Sequence, residues 1–566
     1  MMQTAEPLQQ TTDAPLDPVT LGILWDRLIS ITDEGVSAML RSSFSTILRE
    51  CLDLTAILFD ADGNSIAQGT KSLPSFTGTG PATLRHILER HPPETLNPGD
   101  AIATNDAWQG TGHYFDICVM RPAFRHGRIV GYTMSISHLP DIGGIGYTAA
   151  ATDIYQEGLR IPACKLMQAG EPNELAFEFI RANVRVPEQV VGDIMANVSC
   201  NEVSGQKLVE FMNETGLDDL SSLSHAIRRQ SERSMRDCIR GIPDGVYRNQ
   251  VDIEGFDESV RLACSITVNG DHLLIDYDGT GPSVSRGINC ALNITSAWTY
   301  FALKCLMAGD IPNNQGFLAP VSIKAPEGCI LNARPPSPTA GRHLVVHFIP
   351  SLVFGAFEQA IPDVVQAESG MVGHLTVQGV HRNGREISDI FTATGGVGGV
   401  READGAETTS TPTTIGVVPV EIWEALTSMT VERKAFLPDS GGGGRTRGGL
   451  GQEVVIRNDS GNTLTVFPMG YRTDFPARGY HGGADGRPTR FEANGKPLHP
   501  KDRYLMAPGD RVRIMEAGGG GFGAAKDRDP ERVLEDVLEG YVSVECAREA
   551  YGVEVDAAAR TARRRA

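Results

Sequence analysis

No run in this chain is apolar for long enough to cross a bilayer. The first fifteen residues, MMQTAEPLQQTTDAP, also lack the charged start and apolar centre of a secretory signal. Paired cysteines are missing too. The ten cysteines stand singly from Cys51 to Cys546 with no CxxC, which excludes a zinc ribbon or a disulfide framework and fits buried thiols in a reducing compartment. These absences together predict a cytoplasmic protein with no membrane partner. Basic clusters are confined to the closing RTARRRA, read as a solvated tail, and the formal net charge is -19. A chain without a basic footprint has nothing to neutralise phosphates, so nucleic acid is excluded as a partner. No GxxxxGK[ST] loop occurs, and no glycine cluster follows a strand and opens a helix, so the chain shows no nucleotide-phosphate site of its own.

What is present is ample. With 566 residues, 41% of them apolar, the chain can build two to four domains. Its most informative stretch is Asn105 to Gly144, NDAWQGTGHYFDICVMRPAFRHGRIVGYTMSISHLPDIGG. ICVMRPAF and RIVGYTMSI read as strands, and the intervening RHGR supplies a hairpin turn. With Arg125 opposite Arg128, ladder counting places His138 across from Phe115, beside His113 and Asp116. His113 and Asp116 would point to opposite faces of a regular strand, so TGHYFD must be looped or bulged, and Gly110 and Gly112 allow that. Two imidazoles and a carboxylate with open positions suit a divalent zinc, manganese or iron ion. Asp106 and Asp141 are candidate orienting acids or proton acceptors. Cys118, although close by, reads as packing, because nothing in its surroundings lowers a thiol pKa.

Along the chain, Asp17 and Thr20 are candidate caps for one long or two shorter helices over DPVTLGILWDRLISITDEGVSAMLRSSFSTILREC. DLTAILFDADGNSIAQ reads as a hairpin. Glu157 and Arg160 read as a surface ion pair in preference to a substrate contact. Residues 173–240 are helical throughout, and a composition change at Ile242 opens a strand-rich region. Glycine density then rises in GGVGGVREADGAETT, SGGGGRTRGGLGQ, GYHGGADGRP and AGGGGFG. These glycines are expected to serve turns of positive φ and close chain approach. Anion cradling around Arg445 and Arg447 is the less favoured alternative. Asp529 and Pro530 open a C-terminal helical hairpin whose second helix starts at Ser543. The expected architecture is α+β (mixed α/β) and multi-domain. It comprises a leader (1–16), a metal-site domain with long helices (17–241), a mixed domain (242–400), a glycine-rich β domain (401–525) and the terminal hairpin with its tail (526–566).

Several segments carry a resemblance: SSFSTILRECLDLTAILFDADG, NDAWQGTGHYFD, SHLPDIGG, QEGLRIP, NVRVPEQVVGD, YDGTGP, APEGCILNARPP, DSGGGGRTRGGLG and the GGGGFG run with the helices after it. Over nearly its whole length the chain resembles the hydantoinase B, or oxoprolinase-type, subunit. That subunit is the second component of ATP-dependent hydantoinases, oxoprolinases and lactamases, and of the acetone and acetophenone carboxylases. The resemblance implies His113, Asp116 and His138 as metal ligands. It also implies an A-type partner that spends ATP to phosphorylate the substrate, and hence a hetero-oligomer. Two departures border the site: Asn105-Asp106-Ala107-Trp108 followed by TGH stands where the family commonly reads NDPY and a GGTH-like segment, and Phe76 replaces a common histidine. The SHLPDIGG segment favours ring-opening amide hydrolysis of a hydantoin, 5-oxoproline or lactam. Trp108 and TGH are the grounds for the alternative, ketone carboxylation, and a non-catalytic assembly subunit is the third reading.

Overall fold

The computed structural model describes residues 17–565. Its contacts divide the chain into two compact units. The first comprises residues 17–147, Ala151–Arg248 and Cys264–Arg342; the second comprises Thr148–Ala150, Asn249–Ala263 and residues 343–565.

The first unit is built on helix α1 (Pro18–Ser42). The Asp17 carboxylate accepts from the Val19 and Thr20 amides, and Pro18 occupies the first helical position, where a missing N–H costs nothing. Of the two expected caps only Asp17 serves; Thr20 lies inside the helix and is one of its donors. A Ser45-capped turn, α2 (Thr46–Arg49), follows. Strands β1 (Leu54–Asp60) and β2 (Ser65–Gln68) form the expected hairpin, its turn held by the Asp60 carboxylate on the Asp62 and Asn64 amides. After α3 (Gly80–Arg90) come β3 (Ala101–Thr104), β4 (Asp116–Arg125), β5 (Arg128–His138), β6 (Cys164–Gln168) and the short β7 (Glu171–Pro172). They make a seven-stranded antiparallel sheet in the order β2-β1-β5-β4-β3-β6-β7.

The helical block resolves into α4 (Glu174–Asn183), α5 (Pro187–Thr215) and α6 (Ser221–Arg240). Leu21, Trp25 and Leu28 of α1, Leu58 and Ile66 of the sheet, Leu208 and Phe211 of α5 and Ile227 of α6 share one buried core. Each such side chain contributes roughly 1.5–3 kcal/mol on leaving water. Helix α5 is also bonded to the sheet. Asn197 reaches Ser137 Oγ at 2.7 Å, and Asn201 reaches Ser135 Oγ and the Val119 carbonyl at 2.8 Å each. Strand alternation then turns His138 to the opposite face. Helix α7 (Leu292–Met307) packs beside the 3-10 turn Pro74–Thr77, where a Cβ on Gly78 would fall 2.8 Å from Ala297 Cα.

In the second unit, Val372–Val380 pairs with Glu386–Thr394 and Leu464–Met469 in a four-stranded sheet, and Met429–Phe436, Gln452–Asn458 and Arg511–Met515 belong to a five-stranded one. The glycine-rich runs pair with one another there. Gly442 donates to the Gly519 carbonyl, Gly449 to Val397, Gly519 to Gly449 and Gly399 to Gly520, all at 2.8–2.9 Å. A Cβ on Gly448 would fall 1.9 Å from the Gly519 oxygen, and one on Gly519 would fall 2.1 Å from the Val397 oxygen. Close backbone approach, and not positive φ, is what these two positions require. The alternative of an anion cradle does not survive. The amides of Arg445, Thr446, Gly448 and Gly449 are taken by backbone carbonyls, and Arg447 is buried against Glu407.

The chain end differs from expectation in one respect. Asp529 and Ser543 cap Pro530–Leu538 and Val544–Glu549 as predicted, but the basic segment Thr561–Arg564 pairs with Val553–Asp556 as a two-stranded ribbon. Among the described residues no helix is long and apolar enough to cross a membrane.

Candidate metal centre

The loop between β3 and β4 is fastened before it reaches the site. Asn105 donates to the Tyr114 and Leu159 carbonyls and accepts from the Ile161 amide at 2.6 Å. Gly112 has φ +95, and a Cβ there would fall 2.7 Å from Ile294 Cγ2 and 2.8 Å from Arg342 Cδ. Only glycine lets the chain turn inward at that point. His113 therefore sits in a turn, as the spacing required, and β4 begins at Asp116.

The hairpin register differs from the ladder count by one. Arg125 faces Arg128 as expected, but the ladder shifts between Ala123 and Phe124, so that Phe124 faces Ile129 while Ala123 faces Gly131. Val130 is the extra residue of a bulge. His138 consequently faces Asp116 and not Phe115, so the two side chains share one face of the sheet.

His113, Asp116 and His138 are all buried, and one donor atom from each lies within 4.8 Å of the others. His113 Nδ1 lies 3.0 Å from the Ala340 carbonyl oxygen. A carbonyl only accepts, so Nδ1 carries a proton, and in the neutral imidazole that burial favours Nε2 presents a lone pair. That lone pair faces Asp116 Oδ1 at 3.1 Å. The other carboxylate oxygen, Oδ2, accepts from Arg342 Nη2 at 2.6 Å, and Arg342 Nε donates to the Thr111 carbonyl at 2.7 Å. The His113 and His138 rings lie 5.3 Å apart at 64°, with Phe115 stacked on His138 and Tyr147 edge-on to both imidazoles.

The electrostatics follow from burial beside one guanidinium. Burial lowers the His113 pKa, and the Arg342 charge lowers it further. Burial works to raise the Asp116 carboxyl, but His113 in its protonated form and the Arg342 guanidinium outweigh it and hold the group below the ordinary carboxylate range. Asp53, directly before β1 and beside His138 in the sheet, is pushed up to about 8 by burial and by the Asp116 charge. The Tyr147 phenol is pushed up by burial. Burial also raises the Cys118 thiol, in line with its reading as packing.

Asp106 and Asp141, expected as orienting acids or proton acceptors, have their oxygens occupied. Asp106 accepts from the Trp108 and Gln109 amides and pairs with Arg160. Asp141 accepts from the Gly143 and Arg185 amides and from the Arg185 guanidinium at 2.8 Å. The expected Glu157–Arg160 surface pair is replaced by two separate arrangements: Arg160 goes to Asp106, while Glu157 is fully buried against Thr339 and Ala340. Trp108 donates to the Ala333 carbonyl at 2.9 Å, and Phe76 is buried in its 3-10 turn. Sequence reasoning missed Arg342, Asp53 and Tyr147. Asp53 was within reach by extending β1 against β5; Arg342, 226 residues from Asp116, carries no local signal.

A mixed α/β, multi-domain protein with a buried two-histidine, one-carboxylate cluster at the end of an antiparallel hairpin is the class these features define. The chain belongs to the hydantoinase B/oxoprolinase family, whose model matches residues 17–525. It is 27% identical to the putative B component of the D-/L-hydantoinase of Pseudomonas sp. (strain NS671), with 95% of each chain covered. The crystal structure of the ATP-dependent caprolactamase from Pseudomonas jessenii superposes with a TM-score of 0.89 at 26% identity, covering 96% of this chain and 97% of that one. A nucleotide-free acetone carboxylase structure shares the fold, with a TM-score of 0.88 at 18% identity over 95% of this chain and 80% of the other.

Proposed function

We propose that this chain is the B-type subunit of an ATP-dependent cyclic amide hydrolase of the hydantoinase, 5-oxoprolinase or lactamase type. In this reading it completes the ring opening of a substrate phosphorylated by an A-type partner. The observation that carries the site is the His113 Nε2 lone pair aimed at an Asp116 oxygen. With His113 neutral and its Nδ1 proton given to Ala340, two acceptors face each other at 3.1 Å and repel, and a cation shared by them converts that repulsion into ligation. Imidazole and carboxylate donors fit zinc, manganese or ferrous iron. A divalent ion held by His113, Asp116 and His138 would supply Lewis acidity toward an amide carbonyl or a water molecule.

The chain's own residues support that role. Arg342 holds one Asp116 oxygen, leaving the other to ligate, and the Ala340 carbonyl fixes the tautomer of His113. Phe115 and Tyr147 form an apolar wall against both imidazoles, which keeps bulk water from competing for the ligands. Amide hydrolysis is preferred to ketone carboxylation because the relatives at 26–28% identity over nearly full length bear hydantoinase and caprolactamase names, whereas the carboxylase likeness is one of fold. Two of those relatives are named as the B or beta component of their enzymes, which supports a hetero-oligomer.

The test is to co-purify the chain with its A-type partner, measure bound metal, and screen cyclic amides against ketones for substrate-stimulated ATP hydrolysis. The expected result is about one divalent ion per chain at the triad and ATP consumption stimulated by a cyclic amide that opens. Bicarbonate-dependent ATP consumption with a ketone transfers the site to carboxylation. Full activity of the complex after replacing both His113 and His138 by Ala leaves the chain as an assembly subunit.

A further inference from the structure

The proposed ring opening assigns no part to Glu157, yet the fold invests heavily in it. Its carboxyl is fully buried at the end of the 3-10 turn Ile154–Glu157 in the first unit. Burial pushes this carboxyl up to about 8. A buried carboxyl is tolerated only where donors meet its lone pairs. Here Oε1 accepts from the Thr339 amide at 2.6 Å and the Ala340 amide at 2.7 Å, while Thr339 Oγ1 lies 3.3 Å from Oε2. The residue whose amide is clamped, Ala340, is the one whose carbonyl receives His113 Nδ1–H.

We propose that Glu157 is a positioning residue: by clamping the Thr339 and Ala340 amides it fixes the carbonyl that selects the Nδ1–H tautomer of His113, keeping Nε2 available as a ligand. That Nδ1 carries a proton follows from hydrogen-bond geometry; the consequence for affinity rests on the metal centre proposed above. The segment Pro335 to Gly341 is rich in proline and small side chains, and Glu157 supplies it with an anchor from 182 residues away in the sequence. Without that anchor the Ala340 carbonyl can rotate off the imidazole, and Nδ1 and Nε2 then compete for the proton.

The experiment uses the full-length chain with 15N-labelled histidine, free of metal, the His113 resonances being assigned by their loss in His113→Gln. Wild type is expected to show a protonated Nδ1 and an acceptor-type Nε2. Glu157→Ala is expected to give a mixture of tautomers and to bind Mn2+ or Zn2+ roughly 10–100-fold more weakly. Glu157→Gln, whose side-chain carbonyl can still accept both amides, is expected to restore the tautomer and the affinity. A merely structural role would lower the melting midpoint of Glu157→Ala and leave the tautomer alone, so a wild-type tautomer and affinity in folded Glu157→Ala overturn the proposal. Should Glu157→Ala not fold, Glu157→Asp draws the carboxylate back by about 1.5 Å, one carbon–carbon bond. A partial loss of tautomer purity is expected there, and an unchanged spectrum overturns the proposal. If wild type binds neither ion while the tautomer still answers to Glu157→Ala, positioning stands and the metal centre falls. Tight wild-type binding with a tautomer indifferent to Glu157 gives the reverse.

Discussion

Two buried histidine clusters, one in each unit, look alike as rings and differ as chemistry. His113 and His138 lie 5.3 Å apart at 64°, and His343 and His374 lie 5.3 Å apart at 68°. The first pair shares its space with a carboxylate, Asp116. In the second, His347 and Tyr471 fill the neighbouring positions, the rings stacked at 16° and the phenol 2.6 Å from His347 Nδ1. Among the described residues, His113, Asp116 and His138 are the one group of three or more ligating side chains whose donor atoms converge. Imidazoles pack against one another readily because their faces are apolar; a cation site needs their lone pairs turned inward beside a negative oxygen. The His374 pair shows the first condition without the second, and burial pushes the His374 pKa down to about 4, leaving it a neutral packing group.

The largest effect should come from breaking the first cluster at its anion. Asp116→Ala removes a proposed ligand and leaves Arg342 buried without its ion-pair partner. It should abolish divalent-metal binding and cost about 3–5 kcal/mol of stability, read by metal analysis and urea denaturation. Metal retained by this variant would erase the distinction between the clusters.

Next in size is the pH effect that His374 contributes from the second cluster. Between pH 6.5 and 4 the unfolded chain protonates His374 while the native chain resists it, so the unfolded state binds more protons and stability falls as pH drops. The penalty is about 3 kcal/mol at pH 4 and vanishes above the unfolded pKa. His374→Leu should flatten that part of the stability-against-pH curve and leave metal content at the wild-type level. An unchanged slope would show that His374 protonates normally in the folded state.

The smallest effect sharpens the comparison from the phenol side. Tyr471→Phe removes one buried hydrogen bond to His347 and should cost about 0.5–1.5 kcal/mol. Thermal melting measures the loss, and metal affinity should stay at the wild-type value. A weakened metal site in this variant would mean that the two clusters are linked.

How far the chain could be read before folding depended on how local each interaction is. The Asp17–Pro18 and Asp529–Pro530 helix starts, the Asp60 hairpin and the need to loop TGHYFD all turn on residues within a few positions of one another. The triad was legible because one hairpin carries it. Its exact pairing was not, since the bulge at Val130, whose one local mark is the glycine that follows it, shifts every pair between it and the open end. The glycine-rich runs announced close approach, yet which run lies against which is a matter of long-range backbone pairing.

Sequence by itself determined which side chains are candidate ligands, the inward turn at Gly112 and the alternation that turns Ser135 and Ser137 from His138, because these depend on backbone sterics and a period of two. Tertiary structure alone decided what makes those side chains a candidate cation site. Arg342 on Asp116 and Ala340 on His113 arrive from more than two hundred residues away. Hydrogen-bond partners at that separation are selected by packing, which no local pattern encodes.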